Sequence, residues 1–166
     1  MIPIFKALIR PTIEYANTVW CPYLKKDIIR IEKIQKKFTK KISGMSGKSY
    51  HQRLKKLRLP SLEYRRLRGD LIEAFKIIKG IYDPISTQNL FQINTNTRTR
   101  NNMFKLTKKR FNMNPFKYFF TNRLVNVWNS LPTSIVNTDS VNVFKNKLDM
   151  HFKNYKYCTN INLYYK

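Results

Sequence analysis

The feature that most constrains the fold is the segment from Asp27 to Met45, whose residue pattern predicts one amphipathic helix. At about 100° per residue, its large apolar side chains fall within a sector of roughly 120°. These side chains are Ile28, Ile31, Ile34, Phe38 and Ile42. We expect Asp27 to be the N-cap, because a short carboxylate accepts the free amide hydrogens of a first helical turn. Gly44 and Gly47 are expected to stop the helix.

The opposite side of this predicted helix carries seven cations. They are Lys26, Arg30, Lys33, Lys36, Lys37, Lys40 and Lys41. Such a helix can pack its apolar face on a core while its cationic face holds a polyanion. We therefore interpret the basic helix, residues 27–43, as the first candidate nucleic-acid-binding element.

The whole chain shares this bias towards positive charge. It has 33 Lys and Arg against 9 Asp and Glu, a net charge of +24. This excess favours a phosphate-rich partner and salt-dependent binding. The alternative is codon bias, since A+T-rich codons would also enrich Lys, Asn, Ile, Tyr and Phe. That bias would enrich Glu as well, yet no acidic residue occurs from Pro84 through Thr138.

Length and composition favour one folded core in a reducing compartment. A chain of 166 residues can bury roughly two-thirds of its unfolded surface. Two cysteines, Cys21 and Cys158, make neither a disulfide framework nor a four-ligand zinc site. No apolar run approaches the ~18 residues of a membrane span. We expect an intracellular protein, nuclear or cytoplasmic, and its immediate entry into structure indicates that the chain begins inside something larger.

The predicted fold class is mainly α, a bundle of about five to seven helices. A loop or short β element is expected near residues 86–112, where the sequence is polar and Phe104 to Thr107 alternates. Three further boundaries follow from composition. The segments are 1–82, helical; 83–114, a polar basic loop or short strands; 115–153, helical again; and 154–166, a frayed tail. Ser140 is expected to cap the last helix, which runs to Phe152.

A second basic cluster lies at Arg65, Arg66 and Arg68. Arginine suits phosphate recognition, because its planar guanidinium makes two hydrogen bonds at once. The alternative is an ion pair within the chain, with Asp70 or Glu63 as the acidic partner. The sequence leaves these two interpretations open.

A third basic cluster is mixed with aromatic residues. Its cations are Lys105, Lys108, Lys109 and Arg110, and its aromatic residues are Phe104, Phe111 and Phe116. Aromatic rings among cations stack on unpaired bases in single-strand binders. The alternative is that these phenylalanines belong to the core. Trp20 and Trp128 are interpreted as buried anchors rather than as base platforms.

Catalytic patterns are scarce in the sequence. A two-metal site needs carboxylates converging on ions ~4 Å apart, and Asp70 with Glu73, at i and i+3, is the best available pair. We expect these two acids to form ion pairs with Arg66, Arg68 and Lys76 instead. The four glycines stand apart, so they do not form a phosphate-cradling loop. We predict no enzyme activity, no metal site and no cofactor.

A series of motifs, in one fixed order, covers residues 5 to 152. They are residues 8–16 (LIRPTIEYA), 19–22 (VWCP), 31–40 (IEKIQKKFTK), Tyr50 with Arg53-Leu54, 59–66 (LPSLEYRR), 69–72 (GDLI), 119–123 (FFTNR), 128–132 (WNSLP) and Phe144-Lys145. This order resembles the C-terminal region of reverse transcriptases of non-LTR (LINE-type) retrotransposons, in the Jockey and CR1 group.

The resemblance implies a non-catalytic part of an RNA-directed DNA polymerase. In that family these blocks follow the polymerase palm and form thumb and post-thumb helices that grip template and primer. Segment 1–82 would then be thumb-like, and the partners would be RNA, DNA or an RNA–DNA hybrid together with the missing palm and fingers. The catalytic Asp-Asp motif, which uses Mg in the parent polymerase, would lie upstream of Met1. The alternative function is a structural or interaction domain whose basic face binds proteins or anionic lipid.

Overall fold

The computed structural model describes residues 1–87, 89–94 and 104–159, apart from the side chains at positions 84 and 86. The fold is mainly helical, as predicted, and consistent with a bundle of about five to seven helices. Within the described ranges no β-strand forms, and one isolated antiparallel bridge joins Ile93 to Leu106. This bridge lies in the segment where a loop or short β element is predicted. Residues 95–103 of that segment lie outside the described ranges.

The chain divides into two compact units. The first contains Met1–Leu67 and a C-terminal segment that begins at Asn154, and the second contains Arg68–Lys153. The division falls inside a helix that contributes residues to both units. It does not coincide with the boundaries at 82/83 and 114/115 that composition indicates.

The first unit begins with four short helical segments, and longer helices follow them. They are α1 (Ile2–Ile4), a π-helical segment (Phe5–Ile9), α2 (Arg10–Glu14), α3 (Asn17–Trp20), α4 (Lys25–Lys40), α5 (Tyr50–Leu57) and the first part of α6 (Leu62–Ile78). The described C-terminal residues are turns bonded to this unit. The Lys156 carbonyl accepts from Ser61 N at 3.0 Å, and Tyr157 O lies 3.0 Å from His51 Nδ1.

The second unit continues α6 and adds six helices in its described part. They are α7 (Pro84–Thr87), α8 (Asn114–Lys117), α9 (Phe120–Arg123), α10 (Val125–Asn129), α11 (Thr133–Val136) and α12 (Val141–His151). Gly80 adopts a φ of 66° just after α6, a conformation that glycine reaches without steric cost. A glycine in this conformation is a common end of an α-helix.

Each unit has its own apolar core. In the first, Phe5 stacks on Phe38 of α4 with ring centroids 4.4 Å apart. In the second, Phe75 stacks on Phe144 at 4.2 Å, and Trp128 lies 6.1 Å from Phe144. Trp128 is buried, as predicted. Trp20 is 40% exposed, so its interpretation as a buried anchor is wrong.

The start of α4 differs from the prediction. The helix begins at Lys25, two residues before Asp27, and its N-cap is Leu24, which provides no capping side chain. Asp27 lies in the first turn and forms a 3.5 Å ion pair with Arg30. It is favourable there because the amide dipoles of a first turn attract an anion. The last helical residue is Lys40, and Gly44 with a φ of 71° turns the chain.

The buried face of α4 is more polar than its apolar pattern predicts. Glu32, Gln35 and Thr39 are buried, whereas Ile34, expected on the core side, is 42% exposed. The polar side chains are stable there because each finds a partner. The Gln35 amide, for example, donates to the Pro60 carbonyl at 2.9 Å.

Arg53 of α5 packs against the buried face of α4. Its guanidinium donates to Thr39 Oγ1 at 3.2 Å, to Lys48 O at 2.6 Å and to Lys36 O at 3.4 Å. These last two acceptors lie at the end of α4 and in the turn after it. One buried arginine thus fixes the C-terminal half of α4 against α5.

A buried ion pair holds α9 to α6 in the second unit. Arg123 donates from Nε and Nη2 to one carboxylate oxygen of Asp70, at 3.0 and 2.9 Å. Both side chains are almost completely buried, and Arg123 Nη1 also donates to the Tyr118 carbonyl at 3.3 Å. Asp70 is therefore a structural anion. The predicted pairing of Glu73 with Lys76 is present at 2.8 Å.

Candidate nucleic-acid interface

The outer face of α4 forms a continuous cationic surface, which we call the α4 stripe. All seven predicted cations are exposed, and so is Lys25, which the sequence analysis did not include. At about 100° per residue, these eight cations span roughly 160° of the helix circumference. The stripe comprises Lys25, Lys26, Arg30, Lys33, Lys36, Lys37, Lys40 and Lys41. Lys25 was missed because the predicted helix started too late.

The charge on this surface is weakly compensated. Asp27 pairs with Arg30, and the other acid of α4, Glu32, lies on the buried face. Along 16 residues of helix, successive cations on one face are separated by about one turn, or ~5.4 Å. Each strand of duplex DNA carries one phosphate per ~3.4 Å of axis, so a row of cations of this length lies opposite several phosphates. The stripe can therefore contact several phosphates at once.

Glu32 fixes the orientation of the stripe. Its carboxylate accepts from the backbone amides of Leu62 and Glu63, each at 3.2 Å, at the start of α6. An anion is stabilised there because the first-turn amides of a helix have no partners within the helix. The same carboxylate accepts from the Tyr50 hydroxyl at 2.6 Å. One buried side chain of α4 thus joins the first turns of α5 and α6 to the stripe.

Tyr50 responds to this environment. Burial and the neighbouring Glu32 carboxylate, with its hydrogen bond, raise the pKa of the Tyr50 hydroxyl above its ordinary value of 10.0, while Gln35 and Arg53 act in the opposite direction. The hydroxyl therefore stays protonated and keeps donating to Glu32. Since the folded state holds this proton more tightly, the stabilisation is complete below pH 10 and is lost as the pH rises above it.

We expect Tyr50→Phe to destabilise the first unit by about 1.5–3 kcal/mol at pH 8, because a hydrogen bond to a charged carboxylate is lost. This difference from the wild type should shrink between pH 8 and pH 10.5, because Tyr50 ionises in the unfolded wild type as the pH passes 10 and so favours unfolding, whereas the variant has no such group. Urea unfolding of both proteins at several pH values measures it. A difference that stays constant over this range would contradict the role assigned to Tyr50.

A cavity of about 200 Å³ lies beside the stripe. Its lining includes Ile28, Ile29, Lys33 and Lys36 of α4 together with Tyr50 and Glu63. Two stripe lysines therefore belong to its wall. The cavity combines cations and carboxylates, so it favours neither an anion nor a cation alone.

The second predicted cluster is engaged within the chain. Arg65 forms a two-point ion pair with Glu14, and Arg68 forms one with Asp149 at 2.6 and 2.9 Å. The structure therefore favours the alternative interpretation, ion pairing, although the partners differ from the expected Asp70 and Glu63. They are distant in sequence, so charge spacing along the chain does not indicate them.

Arg66 is buried, with 3% of its surface exposed. Its two terminal nitrogens have no hydrogen-bond partner among the described residues. Arg10 is another buried arginine of the first unit. Burial and the charge of Arg65 lower the pKa of Arg10, while Glu14 acts in the opposite direction. In this conformation Arg66 is out of reach of a phosphate on the surface. The prediction of a phosphate contact at Arg66 is corrected accordingly.

The third cluster is open to solvent in the second unit. Lys108, Lys109 and Arg110 are exposed, and Lys105 is half-buried. Phe111 and Phe116 are 40% and 49% exposed, so the alternative that they belong to the core is wrong for both rings. Phe104 is half-buried, and its ring lies 4.1 Å from Lys79 Nζ.

The comparisons with known proteins add no family assignment. No family model, no curated protein and no solved structure matches the chain. Within the described ranges, no group of three or more potential metal-ligating side chains occurs. None of the described helices has the length and apolar character needed to cross a membrane.

Proposed function

We propose that this chain is a non-catalytic, thumb-like fragment of a non-LTR retrotransposon reverse transcriptase that binds template–primer nucleic acid through backbone phosphates. The α4 stripe is the main contact, and its lysines neutralise phosphates without reading the sequence. The observation that carries this proposal is the exposure of eight cations along one face of α4 and its C-cap, Lys41. The motif order of the chain supports the choice of family.

The anchoring of α4 supports a binding surface of fixed shape. Glu32, Gln35 and Thr39 are each hydrogen-bonded on the buried face, so the stripe is presented by a helix that cannot easily rotate. A fixed row of cations loses less conformational entropy on binding than a flexible basic tail does. This arrangement favours a stiff polyanion, such as an RNA–DNA hybrid.

The proposal includes no chemical step by this chain. The only acids at i and i+3 on α6, Asp70 and Glu73, are paired with Arg123 and Lys76. In the parent polymerase the catalytic carboxylates and Mg would belong to the palm. We therefore propose that the chain binds but does not extend a primer.

A second candidate function is an interaction domain. Three apolar side chains at the N-terminus, Met1, Ile4 and Leu8, are exposed and spaced as one helix face. Exposed apolar patches mark contacts with other macromolecules or membranes. In the first proposal this face would meet the missing palm, and in the second it would join the basic face in binding proteins or anionic lipid.

Binding to nucleic acid and to vesicles separates the two candidates. We expect the full chain to bind a labelled RNA–DNA hybrid with an affinity that falls steeply between about 50 and 200 mM salt. Binding to vesicles of neutral and anionic phospholipid, measured by cosedimentation, is expected to be weaker at every salt concentration. Vesicle binding without hybrid binding would contradict the first proposal and support the second.

A further inference from the structure

Together with the half-buried Phe91, three exposed phenylalanine rings of the second unit line a solvent-open cavity of about 170 Å³. They are Phe111, Phe116 and Phe119, exposed by 40%, 49% and 50%. Phe111 and Phe116 stack on each other with centroids 5.7 Å apart and an interplanar angle of 24°. Exposed aromatic rings grouped around one cavity are typical of ligand-binding grooves and interaction sites.

Apart from the apolar Leu90, Phe91 and Val125, the remaining wall of this cavity is polar and carries one lysine. Asn89, Gln92, Thr107, Thr121 and Asn122 contribute amide and hydroxyl groups, and Lys109 contributes the cation. Amides and hydroxyls both donate and accept hydrogen bonds, so they suit a flat ligand with mixed polar edges. A nucleobase has this combination of apolar faces and polar edges.

Charge favours a nucleic acid over a peptide at this site. Lys108, Lys109 and Arg110 are exposed directly before Phe111, and the sequence from Pro84 through Thr138 contains no acid. Cations that follow a strand backbone, with aromatic rings beside them, are the arrangement by which proteins bind single strands. Bases in a duplex are stacked on each other, so only unpaired bases can enter such a site.

We infer that the cavity lined by Phe111, Phe116 and Phe119 binds unpaired bases of a single-stranded nucleic acid, with Lys108, Lys109 and Arg110 on its phosphates. This site goes beyond the proposed function, since it takes a single strand by stacking, whereas the α4 stripe takes phosphates. The third cluster predicted from the sequence did not include Phe119. Its spacing of three residues from Phe116 was the available signal.

The test compares three labelled probes on the full chain by fluorescence anisotropy. They are a thymidine strand of about 12 nucleotides, within the site sizes known for single-strand binders, a strand of equal length without bases, and an RNA–DNA hybrid. The double variant Phe111→Leu/Phe116→Leu removes both rings but keeps apolar side chains of similar bulk. Circular dichroism reports whether it is folded.

We expect the double variant to bind the thymidine strand about 5- to 150-fold more weakly than the wild type, the range for one lost base–aromatic stack. Its affinities for the base-free strand and for the hybrid should be unchanged. Equal affinity of wild type and variant for the thymidine strand would overturn the inference. So would equal affinity of the wild type for the strands with and without bases.

A second variant keeps the test decisive if the first does not fold. Phe116→Trp retains a ring that can stack, so it should bind the thymidine strand as tightly as the wild type. The new indole should lose fluorescence on binding this strand, relative to the wild type with Trp20 and Trp128 alone. Unchanged fluorescence at saturation would overturn the inference. Failure of hybrid binding in the wild type would count against the proposed function and leave this site standing.

Discussion

Asp70→Ala is expected to destabilise the second unit by about 3–5 kcal/mol, because it leaves the charge of Arg123 buried without its anion. Only 4% of the Arg123 side chain is exposed, and Asp70 is completely buried. A loss of this size is a large part of the 5–15 kcal/mol that stabilises a typical domain. Chemical unfolding followed by circular dichroism measures it, and unfolding at room temperature would be the extreme result.

Asp149→Ala is the matched control for Asp70→Ala. It also removes an aspartate that is ion-paired with an arginine, but both partners, Arg68 and Asp149, are about one-third exposed. We therefore expect a loss of no more than about 1 kcal/mol. The double variant Asp70→Leu/Arg123→Met should be more stable than Asp70→Ala, since no buried charge remains. Equal losses for Asp70→Ala and Asp149→Ala would contradict the role assigned to the buried pair.

Replacing four lysines of the α4 stripe with glutamine is expected to weaken binding to an RNA–DNA hybrid roughly 100-fold or more at about 0.1 M salt. In this variant, called the stripe variant, glutamine replaces Lys33, Lys36, Lys37 and Lys40. All four side chains are exposed, and glutamine is a good helix former, so α4 should remain intact. The affinity for the hybrid falls because each removed lysine no longer releases a counterion from a phosphate.

A scattered control separates the stripe from overall charge. Lys6, Lys48, Lys55 and Lys56 are exposed in the first unit and lie outside α4. Changing these four to glutamine lowers the net charge by the same amount as the stripe variant does. We expect the scattered control to bind the hybrid within a few-fold of the wild type. Equal weakening of the two variants would show that binding depends on net charge alone.

The regular helices follow from local sequence patterns. The apolar residues Leu67, Leu71 and Phe75 are buried along α6, and their spacing is typical of a helix with one buried face. Ser140 caps α12 by accepting from the Asn142 amide at 3.3 Å, as its position before an apolar period predicts. These features depend on neighbours within one or two turns, so a single sequence contains the necessary information.

The polar interior could not be predicted in the same way. Glu32 and Arg53 look like surface residues in sequence, yet both are buried because their partners lie in other elements. The ion pairs of Arg65 with Glu14 and of Arg123 with Asp70 join residues 51 and 53 positions apart. Such pairings depend on tertiary structure. Because Arg65 is paired with Glu14, it is less accessible to a phosphate than the exposed lysines of α4.

The exposed part of the candidate site was more accessible to prediction. The α4 cations are exposed because the helix buries its opposite face. The period of the sequence shows which side of the helix carries the cations. The exposure of Phe111 and Phe116 was undecided in sequence, since aromatic residues occur both in cores and at binding sites. Only the fold shows that these two rings face solvent.

The salt dependence of hybrid binding tests the central claim most directly. The slope of log affinity against log salt concentration counts the phosphates that the protein neutralises, at about 0.9 per contact on duplex DNA. Measured for the wild type, the stripe variant and the scattered control, it should be lower in magnitude by about 3–4 in the stripe variant and unchanged in the scattered control. A stripe variant with the slope of the wild type would contradict the claim that α4 holds the nucleic-acid backbone.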